Sequence, residues 1–171
     1  MQSPSTSVVS LDLIRAAQAG DTLAMSRLLD DLAPWVGRIC GSIALDAGPD
    51  AAQEALIQVF GDLRSLRDPA ALRGWVRRIA TREAVRHAQR ERRSAELDPA
   101  REIPTTDDPG LRVDVRRVLE TLNPEQRAIL VLRDLEGLSE DEAASQLDVA
   151  KGTAKSRLHR ARTAFRKRWS S

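Results

Sequence analysis

The sequence predicts an all-α protein, built as two small helical domains joined by a tether, and three observations carry that expectation. Only five aromatic side chains are present (Trp35, Phe60, Trp75, Phe165 and Trp169), with no Tyr, and the abundance of Ala, Leu and Arg favours packed helices over sheets. Hydrophobic residues make up 42% of the 171 residues and charged residues 30%, enough to bury a core and unlike a disordered tail. Residues 94–110 read SAELDPAREIPTTDDPG, with three prolines, one glycine, five acidic residues and no helical periodicity. Such a stretch is expected to be an exposed, flexible linker, and 17 residues is long for a loop inside one compact domain. The domains are therefore expected to span residues 1–93 and 111–171.

In the first half, LDLIRAAQAG reads as a helix ending at Gly20, and Asp21 is placed to cap a second helix, DTLAMSRLLDDLAPWVGRICGSI. The apolar stripe of that helix runs through Leu28, Leu32, Trp35 and Ile39, with Pro34 expected to break or kink it. A third helix is expected from about Asp50 to Leu66 and a fourth from about Pro69 to Arg93, since proline is tolerated in a first turn. Leu72, Trp75, Val76 and Ile79 would face inward from the fourth.

The second half is more informative. Leu111 to Leu122 reads as a helix with Leu111, Val115, Val118, Leu119 and Leu122 inward, after which Asn123 and Pro124 supply a cap and first turn for the helix carrying AILVLRDLEG. Gly137 closes that helix. Ser139 caps the next, with Glu142 three residues on as a capping box and Leu138 and Ala143 placed as a hydrophobic staple. EDEAASQLDVAKGTAKSRLHRAR is then helix, short turn, helix. The last helix puts Ala154, Leu158, Ala161 and Phe165 on one narrow face and Lys155, His159, Arg162 and Arg166, flanked by Ser156 and Arg160, on the other. This is a helix-turn-helix layout. Lys or Arg on such a helix can bond guanine O6 and N7 in a major groove, while neighbouring cations meet phosphates. An amphipathic surface helix docked on an acidic protein is the alternative.

Charge is segregated along the chain. Residues 73–93 hold eight basic and two acidic side chains, and residues 151–171 hold eight basic and no acidic ones, so the overall net charge of +2 conceals two cationic blocks between acidic segments. Two such blocks suit a polyanion held at two places, whereas either alone fits a solvated helix face equally well.

Other classes fail on inventory. There is no G-x-G-x-x-G, P-loop or H-E-x-x-H, and His87 and His159 are the only histidines, so no nucleophilic triad is evident and no enzyme is expected. One cysteine, Cys40, cannot form an internal disulfide, and two histidines with it cannot assemble an ordinary zinc site, so neither metal nor cofactor is expected. Cys40 is read as a small buried side chain and His87 as an exposed helix position. The start lacks the pattern of a secretory signal and no window approaches a membrane span, which points to the cytoplasm.

The words LNPEQRAILVLRDLEGLSEDEAASQLDVAKGTAKSRLHRAR closely resemble region 4 of extracytoplasmic-function (ECF) sigma factors, the small bacterial subunits that give RNA polymerase its promoter recognition. GPDAAQEALIQVFGDL resembles their region 2.2, and LRGWVRRIATREAVRHAQRERR resembles regions 2.3 and 2.4, so nearly the whole chain is covered.

That resemblance implies core RNA polymerase and promoter DNA as partners, with an anti-sigma factor as a common further one. It places Asp50, Gln53 and Glu54 on the helix that docks on the β′ clamp helices; their i, i+3, i+4 spacing gives them one face, though such faces are commonly just solvated. It implies that the loop from Ser65 to Ala71 holds an unstacked base of the −10 element, with Arg67, Arg73, Arg77, Arg78, Arg82 and Arg86 sharing the displaced strand's backbone. Trp75 falls on a motif residue that chiefly packs, with base stacking as its alternative. Lys155, Ser156, His159 and Arg160 align with −35 contacts, and Arg157 and Arg162 with phosphate contacts or domain stabilisation. Ile129, Leu130 and Leu132 are core residues or part of a grip on the β flap.

Three departures bear on these roles. Arg82 stands where the family commonly has Asn, Ala51 and Ala52 replace bulkier aliphatics, and Ala154 replaces a usual valine. An autonomous DNA-binding regulator, of the kind whose output domain carries a T-x-K-x-H-like helix, is the competing reading, and it leaves residues 1–93 unexplained.

Overall fold

The computed structural model describes residues 9–98 and 111–169, with the side chains of 111–114 outside that description. The described residues form eight helices: α1 Leu11–Gln18, α2 Thr22–Ala44, α3 Gly48–Asp62, α4 Leu72–Leu97, α5 Leu111–Glu120, α6 Pro124–Leu130, α7 Glu140–Leu147 and α8 Lys151–Trp169. Short 3₁₀ turns join α2 to α3 and α3 to α4.

The start signals act where the sequence puts them. The side chain of Asp21 accepts from Ala24 N at 3.0 Å, and Asn123 and Ser139 each complete a reciprocal capping box, with Gln126 and Glu142 respectively. Gly20 and Gly137 take φ of +97° and +70°, where a side chain is strained. Pro34 does not break α2, which runs unbroken for 23 residues. Pro34 lies on the exposed face, where water can serve the carbonyl it leaves unbonded, while Leu32, Trp35, Val36 and Ile39 stay buried on the opposite side.

Helices α1 to α4 pack around Leu28, Ile39, Ile43, Val59, Leu72 and Val76, and Trp75 packs against that core half-buried. Where α2 and α3 cross, a side chain at Gly48 would bring a Cβ within 2.7 Å of Gly41 Cα, so this approach requires glycine. Helix α4 continues to Leu97, so residues 94–97, read as linker, are helical. The breaker comes later, at Pro99, which disfavours helix at Asp98. Residues 99–110 of the expected linker lie outside the described residues.

A second cluster gathers Ile129, Leu132, Leu138, Ala143, Ala144, Ala154, Leu158 and Ala161. The expected long helix after Asn123 instead ends in a wide π turn over Val131–Leu135. Adjacent residues here serve different cores, since Ala128 and Val131 join the first cluster and Ile129 and Leu132 the second. The two halves are thereby packed on one another. Arg127, only 7% exposed, donates to Ile43 O at 2.6 Å and to Leu119 O and Leu122 O at 3.2 and 3.0 Å, so one cation serves carbonyls near the ends of α2 and α5. Arg116 also pairs with Asp46 across the same divide.

Candidate nucleic-acid interface

Helix α8 is positioned by its narrow apolar face. Ala154, Leu158 and Ala161 are buried against the capped α7 and α6, which turns Lys155, Ser156, His159 and Arg160 outward and exposed. Asp148, at φ +55°, makes the turn between α7 and α8, a conformation that aspartate tolerates better than most side chains. Arg160 Nε donates to Ser156 O within the helix, leaving the rest of its guanidinium toward solvent. Arg157 is half-buried. Arg162 pairs with Asp134 at 2.5 Å, tying α8 to the π turn, with both side chains still partly exposed. Phe165 stacks on Trp169 with ring centroids 6.0 Å apart.

The loop between α3 and α4 is anchored rather than loose. Gln18 of α1 donates to Leu63 O and Leu66 O at 3.0 and 2.8 Å, and Asp68 accepts from Ala70 N. Ser65 and Arg67 project from it exposed, with Ser65 Oγ donating to Asp62 O.

The arginines of α4 divide into two groups. Arg73 and Arg77 lie over the Trp35 ring at 4.5 and 5.7 Å, and Arg77 Nε donates to Glu136 Oε2 at 3.0 Å with its side chain 14% exposed. Arg78 reaches Asp148 at 3.8 Å, and Gln146 donates to Gly74 O. Arg77 and Arg78 thus face acidic groups of the second half, while Arg73 stays over the Trp35 ring. Arg82 and Arg86 face α3 instead: Arg82 donates to Gln58 Oε1 at 2.9 Å, and Arg86 Nη2 lies 3.0 Å from Glu54 and 2.5 Å from Glu83. The sequence reading put all five on one DNA strand; in the structure, Arg77 and Arg86 are each engaged by carboxylates.

Asp50, Gln53 and Glu54 are exposed together on α3. Glu54 is held below the usual carboxylate range, chiefly by its hydrogen bond with His87 and then by Arg86. His87 is not the exposed position expected of it: its side chain is 11% exposed and its Nε2 lies 2.7 Å from Glu54 Oε2. Glu54, Glu83 and His87 bring ligand atoms within 4.8 Å of one another, but the Arg86 guanidinium already lies between the two carboxylates where a cation would sit. Glu83, Glu136 and the indole N–H of Trp35 carry no local sequence signal for these roles, because their partners come from other helices.

Comparison with known proteins fits this geometry. Sigma-70 region 2 matches residues 25–94 and sigma-70 region 4 matches residues 112–165. Fold and surface together define a promoter-specificity subunit of RNA polymerase. The ECF RNA polymerase sigma-E factor of Escherichia coli K12 is 30% identical over 175 residues, 90% of each chain. The ECF RNA polymerase sigma factor SigE of Mycolicibacterium smegmatis is 36% identical over 128 residues, which is 68% of this chain; the chain spans about half, 49%, of that relative. The chain belongs to the ECF sigma factors of the sigma-70 family, and core RNA polymerase and promoter DNA are the partners of that class.

Two solved structures share the fold. CnrH in complex with the cytosolic domain of CnrY has a TM-score of 0.64 and 24% identity, covering 93% of this chain and 96% of that one. The sigma factor RpoE in complex with the anti-sigma factor NepR from Bartonella quintana has a TM-score of 0.67 and 22% identity, covering 85% and 96%. No helix among the described residues is long and apolar enough to cross a membrane.

Proposed function

We propose that the chain works as a non-catalytic cytoplasmic initiation factor, with residues 1–93 as its region 2 domain, 94–110 as the linker and 111–171 as its region 4 domain. Asp50, Gln53 and Glu54 dock on the polymerase clamp. Ser65, Arg67 and the α4 arginines 73, 77, 78 and 82 hold the opened −10 strand, and Lys155, Ser156, His159 and Arg160 read the −35 duplex, with Arg157 near phosphate. An anti-sigma factor is a third partner, by analogy with RpoE and NepR.

The observation that carries this reading is the outward quartet on α8, a cationic helix face backed by a fully packed one. Charge alone would suit any polyanion. The capped helix before it and the short turn give it the geometry of a groove reader.

The pairing of Arg77 with Glu136, and of Arg78 with Asp148 at its edge, separates this reading from an autonomous regulator. Promoter DNA should bind the purified chain weakly and tightly only after core polymerase is added, because capture of the −10 strand needs those arginines released. A band-shift with and without core polymerase tests it, followed by run-off transcription on a randomised promoter library. Tight operator binding by the chain alone would favour the regulator.

A further inference from the structure

We infer that Arg86 and His87 are positioning residues for polymerase docking: together they fix the carboxylate of Glu54 on the outer face of α3, and Arg86 serves this purpose rather than binding the −10 strand. The inference rests on the reading that Glu54 docks on polymerase, and it assigns two α4 side chains to that contact.

The two oxygens of Glu54 are held separately, Oε1 by Arg86 Nη2 at 3.0 Å and Oε2 by His87 Nε2 at 2.7 Å. A carboxylate offers about four acceptor positions, so each oxygen keeps one free for donors of an incoming helix. The Glu54 side chain is 48% exposed, whereas His87 is nearly enclosed, so the anchor is internal and the anchored group faces outward.

Arg86 is not at liberty to leave. Glu83 is 6% exposed, its Oε2 lies 2.5 Å from Arg86 Nη2, and among the described residues the next cation is Arg82 Nε at 3.8 Å from Oε1. Moving Arg86 to a phosphate would leave a buried carboxylate poorly compensated, which is strongly unfavourable. Glu83 therefore holds Arg86 by charge rather than through an aligned hydrogen bond, and Arg86 with His87 holds Glu54. A free exposed glutamate would lose rotamer freedom on docking, and one already held does not.

Full-length variants titrated against core polymerase test this. Arg86→Gln and His87→Ala should each weaken core affinity about 2- to 10-fold, the range expected when one side chain's ordering is returned to the binding step. His87→Gln, which keeps a donor, should restore it. In a Glu54→Gln background the same substitutions should have no further effect. Single-stranded −10 capture by the assembled holoenzyme should stay at the parent level in Arg86→Gln. Should Arg86→Gln unfold the chain by stranding Glu83, the paired variant Glu83→Gln/Arg86→Gln removes both charges and serves in its place. Unchanged core affinity with weakened strand capture makes Arg86 a DNA residue and overturns the proposal, as does full additivity with Glu54→Gln. If Glu54→Lys itself leaves core affinity unchanged, the docking face fails and the positioning role fails with it. If Glu54→Lys abolishes binding while His87→Ala and Arg86→Gln do not weaken it, only the positioning role fails.

Discussion

Trp35 and Glu136 are 101 residues apart in the chain, and the indole N–H of the first donates to both carboxylate oxygens of the second, at 3.0 and 3.2 Å. Arg77 joins at 3.0 Å, so one acidic side chain beside the π turn holds a tryptophan of α2 and an arginine of α4. Replacing Glu136 with Ala strands an indole donor and a guanidinium in a partly buried setting. The expected loss is about 1–3 kcal/mol of stability, read from a urea midpoint. Binding of a −10 single strand by the isolated chain should rise, because Arg77 loses the group that draws it toward the second half. No gain in strand affinity would mean that Glu136 serves stability alone.

Arg127 sets a second test of the same packing. Its three bonds to main-chain carbonyls are made in a site where burial draws its pKa downward, yet a guanidinium stays protonated there. Arg127→Met keeps much of the volume and removes every donor, leaving carbonyls near the ends of two helices unsatisfied. A loss of about 3 kcal/mol is expected. Chemical denaturation should show it, and backbone hydrogen exchange should rise first in the last turns of α2 and α5, whose ends those bonds tie down.

The sequence makes local structure legible where a side chain acts on its own backbone. Asp21, Asn123 and Ser139 can be read as caps because their partners are three residues away, and the buried and exposed faces of α8 can be read because one helix carries both. Pro34 misleads because its effect depends on which face it occupies, and that is set by burial rather than by chain order. The same holds for His87, whose enclosure comes from a glutamate on another helix, and for Val131 and Leu132, neighbours that divide between two cores. For Arg162 the sequence leaves phosphate contact and stabilisation both open, and Asp134, 28 residues earlier, supplies a partner for the second.

The α8 face has its own test. Lys155→Ala and Arg160→Ala each remove an exposed donor without touching Ala154, Leu158 or Ala161 beneath. Each should cost about 1–3 kcal/mol in −35-dependent promoter binding by the holoenzyme if it contacts a base, and core affinity should not change. A substitution that weakens all sequences alike and lowers the salt dependence instead marks a phosphate contact. Arg162→Ala, by contrast, should lower stability slightly with little effect on promoter choice, since its partner is Asp134.

Cys40 yields a prediction whose size depends on pH. It is fully buried on α2 with its Sγ 3.5 Å from Ala80 O, and burial, helped by the charge of Glu83, pushes the thiol up from 9.0 to about 12. Below the unfolded value both states keep the proton and the thiol contributes nothing that varies with pH. Between 9.0 and about 12 the unfolded chain releases its proton while the folded chain retains it, so unfolding becomes progressively easier as the solution turns alkaline. The slope is at most about 1.4 kcal/mol per pH unit, and Cys40→Ala should remove that component from a series of denaturation midpoints. At neutral pH the same enclosure predicts that iodoacetamide labels the urea-unfolded chain and leaves the native one unmodified. Rapid labelling under native conditions would show that α2 opens around Cys40 far more readily than its packing allows.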